Sequence, residues 1–417
     1  MPDSSPCITS DAPSGARGSI LLAAMIVTLL VTMLVIGAAY EAGMRMETRQ
    51  QLRGSTEALV YAQAGLENGA RLTISSRTWG TDLGTGTWIS AKPIGNGTVT
   101  VVATDPEDGM IEPDGSAGSS TADTVRLSSA ATAANFTRSL VADYVPFPHE
   151  ALRQVAYGRD YIGLQGVDVE GRLRSNGSVL DQGSGVLVRG DITTLTGETV
   201  SASLDDADTD VFFVSDSLTM PAVDFSWFQD AGEEVGLPMS GFFLNSVFTR
   251  DSNPNGSPSA RAIYWIDAAG GDVYFYQVAA EACIVVLNAN DVIVGSWLSQ
   301  AYRYYHRSPD PDRLPALLVQ GNLHMKIKAD SLTFSMGGAD TTVACGLEGV
   351  FYCTGELWGP QLYATDPIKV EGALLADELH LIGPGTLIRH DPDLNMNPLA
   401  ELTQPGLRLV ADSTREP

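Results

Sequence analysis

Val169-Glu-Gly-Arg-Leu173 places a glycine midway between two inward-type apolar residues, and the same pattern returns four times along the chain. It recurs as Val188-Arg-Gly-Asp-Ile192, Val319-Gln-Gly-Asn-Leu323, Cys353-Thr-Gly-Glu-Leu357 and Val370-Glu-Gly-Ala-Leu374. Successive starts lie 19, 131, 34 and 17 residues apart. Three of the four intervals therefore match one or two units of about 17 to 19 residues. That length suits one coil of a β-solenoid, in which apolar side chains stack inward and glycine permits the bend between short strands. A β-sandwich with similar turns is the competing reading. Outward from these groups, Ile263–Ile266, Asp272–Tyr276 and Cys283–Leu287 read as strands, and Pro221 to Leu237 as a short helix or loop.

Toward the amino terminus the β character continues in a smaller unit. Gly97 to Thr104 is β-branched and bounded by Gly and Asp, and Thr124–Ser128 and Thr137–Val145 alternate as two further strands. Pro146 and Pro148 end the unit. Between these strands Asp105, Glu107, Asp108, Glu112 and Asp114 cluster in a Gly/Ser-rich loop. Clustered carboxylates are calcium ligands, but the ordered spacing of a calcium loop is missing, so a solvated turn accounts for them. The same holds for Asp205, Asp206, Asp208 and Asp210, and for Asp310 and Asp312.

Before the β units, no residue from Gly18 to Tyr40 is charged. As a helix, Ser19 to Tyr40 spans roughly 33 Å, enough to cross a bilayer. A cleaved signal peptide would have a shorter apolar core, a basic start and a small-residue site after it. Beyond the span, Leu52, Leu59 and Leu66 fall seven apart, with Ala58, Ala62, Gly69 and Ala70 near the same face. This predicts one amphipathic stripe. Gly54, Gly65 and Gly69 each lower helix propensity by about 1 kcal/mol relative to Ala, which predicts a closely approaching neighbour.

A polar leader ending in Arg17-Gly18, the uninterrupted apolar helix, and the continuation Glu41 to Arg53 and Tyr61 to Glu67 resemble type IV pilin-related proteins. PilX-like minor pilins and the tip pseudopilin of type II secretion are most similar. The resemblance implies that prepilin peptidase cuts between Gly18 and Ser19, with methylation of the new amino terminus. It further implies an inner-membrane helix that packs with other pilin-like subunits and a large domain outside the cytoplasm. Counting flanking basic residues, Arg17 before against Arg45, Arg49 and Arg53 after, points to the opposite orientation; the match in leader and helix outweighs it. Major pilins carry glutamate at the fifth mature position, where this chain has Ala23, as the tip pseudopilin also lacks it. Residues 158 to 171 are similar to Gly-rich β-repeat domains appended to PilX-like proteins.

The expected organisation is a leader over 1–18, a transmembrane and amphipathic helix over 19–75, a small pilin-like β-meander over 76–148 and a large solenoid-like domain over 149–417. The fold class is mainly β with a long N-terminal α-helix. Twenty-five basic against 50 acidic residues, a formal charge of −25, give no footprint for nucleic acid. A bridge between Cys345 and Cys353 and a pair of reduced core thiols are equally compatible with the sequence.

Enzymatic signatures are sparse. His149, His306, His324, His380 and His390 show no metal-binding spacing, and neither a nucleophile elbow nor a phosphate loop is present. No cofactor is expected. Asp191, Glu356, Asp366 and Glu371 are the carboxylates a polysaccharide-degrading solenoid enzyme would use. The aromatic and basic run Trp297, Tyr302, Arg303, Tyr304, Tyr305 and Arg307 is the candidate binding patch, for a surface glycan or a protein ligand. Its plainer reading is a loop whose tyrosines cover the solenoid. The function expected is assembly, tip capping or adhesion of a pilus or pseudopilus, against a monomeric membrane-anchored binding protein or a surface glycan-degrading enzyme.

Overall fold

The computed structural model describes residues 15–75, 83–106, 111, 124–183, 185–204, 209–297, 300–301, 303–309, 314–328, 330–336, 339–359, 368–395, 402–411 and 413–416. Helix α1 runs from Gly15 to Leu72. From Leu21 to Tyr40 its side chains, apolar apart from Thr28 and Thr32, are all exposed, and its second half lies on an antiparallel sheet. The buried stripe is Gly54, Ala58, Ala62, Gly65, Leu66 and Gly69. Leu52, expected on that stripe, is 64% exposed, and Leu59 is half-buried. The reason is steric: a methyl group on Gly65 would collide with Ser129 and Val99, and one on Gly54 would meet the Phe136 ring at 2.6 Å. The glycines set how close the helix lies, so mainly small residues face the sheet; Leu66 still packs there, whereas Leu52 is left exposed.

The sheet is β1 (Gly86–Ile94), β2 (Gly97–Thr104), β3 (Val125–Ala133) and β4 (Phe136–Pro148), paired in order. Strict alternation along β3 turns Val125, Leu127, Ala131 and Ala133 into the core under α1. Ala134 and Asn135, both at positive φ, close the tight β3–β4 hairpin. A fifth strand, Thr403–Leu409, pairs antiparallel with β4. The boundary expected at 149–417 is corrected accordingly, because the carboxy-terminal segment belongs to the first sheet.

The remaining strands pair in parallel, coil on coil, apart from two antiparallel hairpins, Ser296–Trp297 with Gln300–Ala301 and Ser331–Met336 with Ala339–Ala344. Each coil passes through three faces. The first contains Ile263–Asp267, Cys283–Leu287 and Leu317–Val319; the second Val273–Tyr276, Asp291–Val294, Asn322–Met325 and Glu356–Gly359; the third Val278–Glu281 and Tyr304–Arg307. The five-residue pattern marks two different corners, third face to first at Val169–Leu173, Val188–Ile192 and Val370–Leu374 and first face to second at Val319–Leu323 and Cys353–Leu357. Val319 pairs directly with Cys353, so their 34-residue interval is one coil and not two units. In Val169-Glu-Gly-Arg-Leu173 and Val370-Glu-Gly-Ala-Leu374 both apolar ends are buried, and Gly171 and Gly372 turn at φ +140° and +144°. A side chain at Gly372 would strike the carbonyl of Gly349 one coil below.

Coil order in space differs from chain order. Leu374, Leu379 and Ile388 pair with Ala156, Ile162 and Val169, so the coil formed last in sequence supports the one formed first. The stack therefore ends in internal segments, and the chain enters and leaves at this seam. His390 Nε2 donates to the Leu152 carbonyl at 2.8 Å, and the His149 amide to the Leu402 carbonyl at 2.8 Å. Entry and exit are tied together, which is why Thr403–Leu409 can return to β4.

Three environments result. The coil interior is a continuous apolar core that includes Ile284, Val286, Phe275, Phe351 and Leu379. The first face is buried on both sides: Cys283, Val285, Leu287 and Tyr352 turn outward against a second layer with Phe228 and Leu314. Phe228 belongs to the short helix Phe225–Ala231, whose start is capped by Asp224 accepting the Ser226 amide at 3.0 Å. The third face carries a ladder of charges, with Arg307 to Glu348 at 3.5 Å and Glu170 held by Arg389 at 2.6 Å and Arg189 at 3.1 Å. Exposed pairs of this kind contribute about 0–1 kcal/mol each, so the ladder mainly keeps this face wet.

Candidate functional site

The uncharged half of α1 is the feature with the plainest chemistry. It is long and apolar enough to cross a membrane, and none of its apolar window is buried within the chain. Leu34 is 73% exposed and Tyr40 71%. A contiguous apolar surface of this size in water would be a severe liability, so lipid or packed neighbours must cover it. Gly18 and Ser19 lie in the first turns of this helix.

The segment proposed as an aromatic binding patch is placed differently. Tyr304 and Tyr305 are buried, with Tyr304 in the coil interior. The Tyr304 hydroxyl donates to Nδ1 of His306 at 2.7 Å, and His306 Nε2 donates to the Ala282 carbonyl at 3.0 Å. Because a carbonyl can only accept, His306 is the neutral Nε2–H tautomer. Complete burial pushes its pKa down to about 4. Arg303 bonds Asp330 at 2.7 and 2.9 Å, which pulls that carboxyl down to about 2, and Arg307 pairs with Glu348. Tyr302 lies outside the described residues, and Trp297 forms part of the short strand Ser296–Trp297. The strand period explains the correction: Tyr304 and His306 alternate into the coil interior, and Tyr305, on the other side of the strand with Arg307, is buried as well.

The second face was not singled out from the sequence, yet it holds outward aromatic rings on several coils. Trp358 and His380 stack at 3.7 Å with planes 9° apart, and Tyr161 leans on His380 at 5.3 Å. Phe242, Tyr274 and Tyr276 continue the theme toward the far end of the stack. The rings touch one another from coil to coil, so the close Trp358–His380 stack spends its faces on itself. One sequence signal was available: Trp358 and His380 each follow a Glu-Leu pair, 22 residues apart.

Cys345 and Cys353 are free thiols near opposite ends of the strand Gly346–Cys353, which excludes a bridge between them because an extended strand holds its ends far beyond disulfide reach. Burial pushes the Cys353 thiol up to about 12. Asp191, Glu356 and Glu371 are not brought together: Asp191 pairs with Arg172 at a corner, Glu371 lies on the third face beside Lys369, and Glu356 accepts from Trp358 Nε1 on the second. Asp366 lies outside the described residues, as do Glu107, Asp108, Glu112, Asp114, Asp205, Asp206, Asp208, Asp310 and Asp312. Asp105 is buried, and no metal-type cluster of three or more His, Cys, Asp or Glu occurs among the described residues.

No family model and no curated protein matches the chain. Among solved structures it is similar to the competence-associated pilin ComZ from Thermus thermophilus, with 10% identity, 87% of this chain and 97% of that chain covered, and a TM-score of 0.33. It is also similar to a DUF3494 domain of an ice-binding protein from Shewanella frigidimarina, with 10% identity, 59% and 98% covered, and a TM-score of 0.21. Neither alignment is close enough to establish a shared fold.

Proposed function

We propose that this chain is a pilin-like subunit that inserts α1 in the bacterial inner membrane, is cut by prepilin peptidase between Gly18 and Ser19, and enters a pilus or secretion pseudopilus. The observation that carries the reading is the division of α1 into an exposed, uncharged stretch from Leu21 to Tyr40 and a part seated on a small antiparallel sheet mainly through glycine and alanine. The first half supplies what lipid and then sister helices grip; the second fixes a rigid head. The solenoid is cargo on that head, held at both its entry and its exit. Its role is that of a minor subunit contributing to assembly, tip capping or adhesion, without catalysis.

Mass measurement of the mature amino terminus tests this directly. A start at Ser19, together with recovery in sheared filaments, is expected; a start at Met1, or one beyond Tyr40, overturns it.

A further inference from the structure

Beside the last turn of α1 a groove of about 490 Å³ opens between the helix and β1. Asn68, Arg71, Leu72, Trp88, Ile89 and Lys92 line it. It exists because β1 departs from regular pairing with β2 twice, between Thr87 and Ile89 and between Ile89 and Lys92, with Ala91 in the left-handed region at φ 43°. Its floor is apolar and its rim cationic. Among the described residues neither Arg71 nor Lys92 meets a carboxylate, although the chain has twice as many acidic as basic residues. Arg71 also complements the negative end of α1, which accounts for that residue but not for Lys92.

The same helix carries a matching stripe lower down. Tyr40, Gly43, Met44 and Glu47 fall on one face at i, i+3, i+4 and i+7. Tyr40 and Met44 are exposed, and Gly43 has nothing within 4 Å of where a side chain would begin. Glu41 pairs with Arg45 and Glu57 with Arg53, whereas Glu47 has no cation partner among the described residues.

We propose that the groove of one copy receives the Tyr40–Glu47 stripe of a second copy. Tyr40 and Met44 lie on the Leu72 and Trp88 floor, and Glu47 sits between Arg71 and Lys92. Glu47 and Arg71 are separated by about 36 Å along the helix at the usual rise. Two copies standing side by side in one bilayer hold their grooves level with each other, well above both stripes. Groove meets stripe only when one copy has been displaced outward by that length. Because the two patches differ, the contact is heterologous and holds one copy a fixed step outward of the other within the filament. The inference rests on the filament reading given above and adds the surface that enforces the stagger.

Full-length Glu47→Cys/Lys92→Cys in the producing bacterium, oxidised before fractionation, is the test. A disulfide-linked dimer in sheared filaments, absent from the membrane fraction, is expected. Glu47→Lys lowers the filament-associated fraction about fivefold, and adding Arg71→Glu with Lys92→Glu restores it. Filament-bound protein that fails to cross-link, cross-links equally in membranes, or ignores the charge reversal overturns the contact alone. Protein absent from filaments altogether sinks the filament reading and the contact with it.

Discussion

His380 lies flat on Trp358 of the preceding coil, with ring centroids 3.7 Å apart and planes within 9° of parallel. The pair is fixed by register, since Leu357 and Leu379, their buried sequence neighbours, stack inside the same two coils. Inward leucines thus set the position of outward rings. The stack joins the coils immediately below the seam, where chain order and spatial order part.

Removing one ring isolates its contribution. His380→Ala is expected to destabilise the solenoid by about 1 kcal/mol beyond the area lost, and the coupling with Trp358→Ala to be about 0.5–1.5 kcal/mol. A double-mutant cycle of urea midpoints measures it. Coupling indistinguishable from zero would show that the stacking is incidental.

Gly65 should resist substitution despite its place in a helix. Alanine gains about 1 kcal/mol of helix propensity, but its methyl meets Ser129 and Val99 and pushes the helix off the sheet at about 1–3 kcal/mol. Gly65→Ala is therefore expected to be destabilising overall, and Gly65→Val more so. Thermal unfolding followed by circular dichroism checks the order, and a stabilised Gly65→Ala would contradict the packing described.

The thiols offer a separate check. Cys283 is fully buried and burial raises its pKa far above that of a free thiol, as it does for Cys353. Under non-reducing conditions all three described cysteines should count as free, and Cys283 and Cys353 should alkylate only after denaturation. Rapid alkylation of native protein, or a Cys345–Cys353 peptide after digestion, would be incompatible with the strand Gly346–Cys353.

What the sequence discloses is local. The corner pattern at Val169–Leu173 and Val370–Leu374 is legible because glycine at positive φ between two inward apolar residues is a short-range demand. The glycines of α1 likewise announce a close neighbour. The seam is not legible, because pairing Leu374 with Ala156 is a choice among apolar strands of like period, settled only once every coil has been placed. The aromatic segment at 303–307 misled for a related reason: which alternate residues face inward depends on strand phase, and Tyr304 differs from an exposed tyrosine only in that phase.

His306 makes the phase measurable through pH. In the folded chain its pKa is about 4, against 6.5 unfolded, because protonation would place a charge inside the coil and force Nδ1 to compete with the Tyr304 hydroxyl. The folded state therefore binds fewer protons than the unfolded state between these values, so stability is full above pH 6.5 and falls as pH drops toward 4. At pH 5 the loss is about 2 kcal/mol from this group, at about 1.4 kcal/mol per pKa unit. Urea unfolding at pH 7 and pH 5 should show that difference in the native chain, whereas His306→Gln should flatten it whatever its own stability at pH 7. An unchanged pH dependence in the variant would mean that this imidazole titrates freely, and so does not occupy the interior between Tyr304 and Ala282.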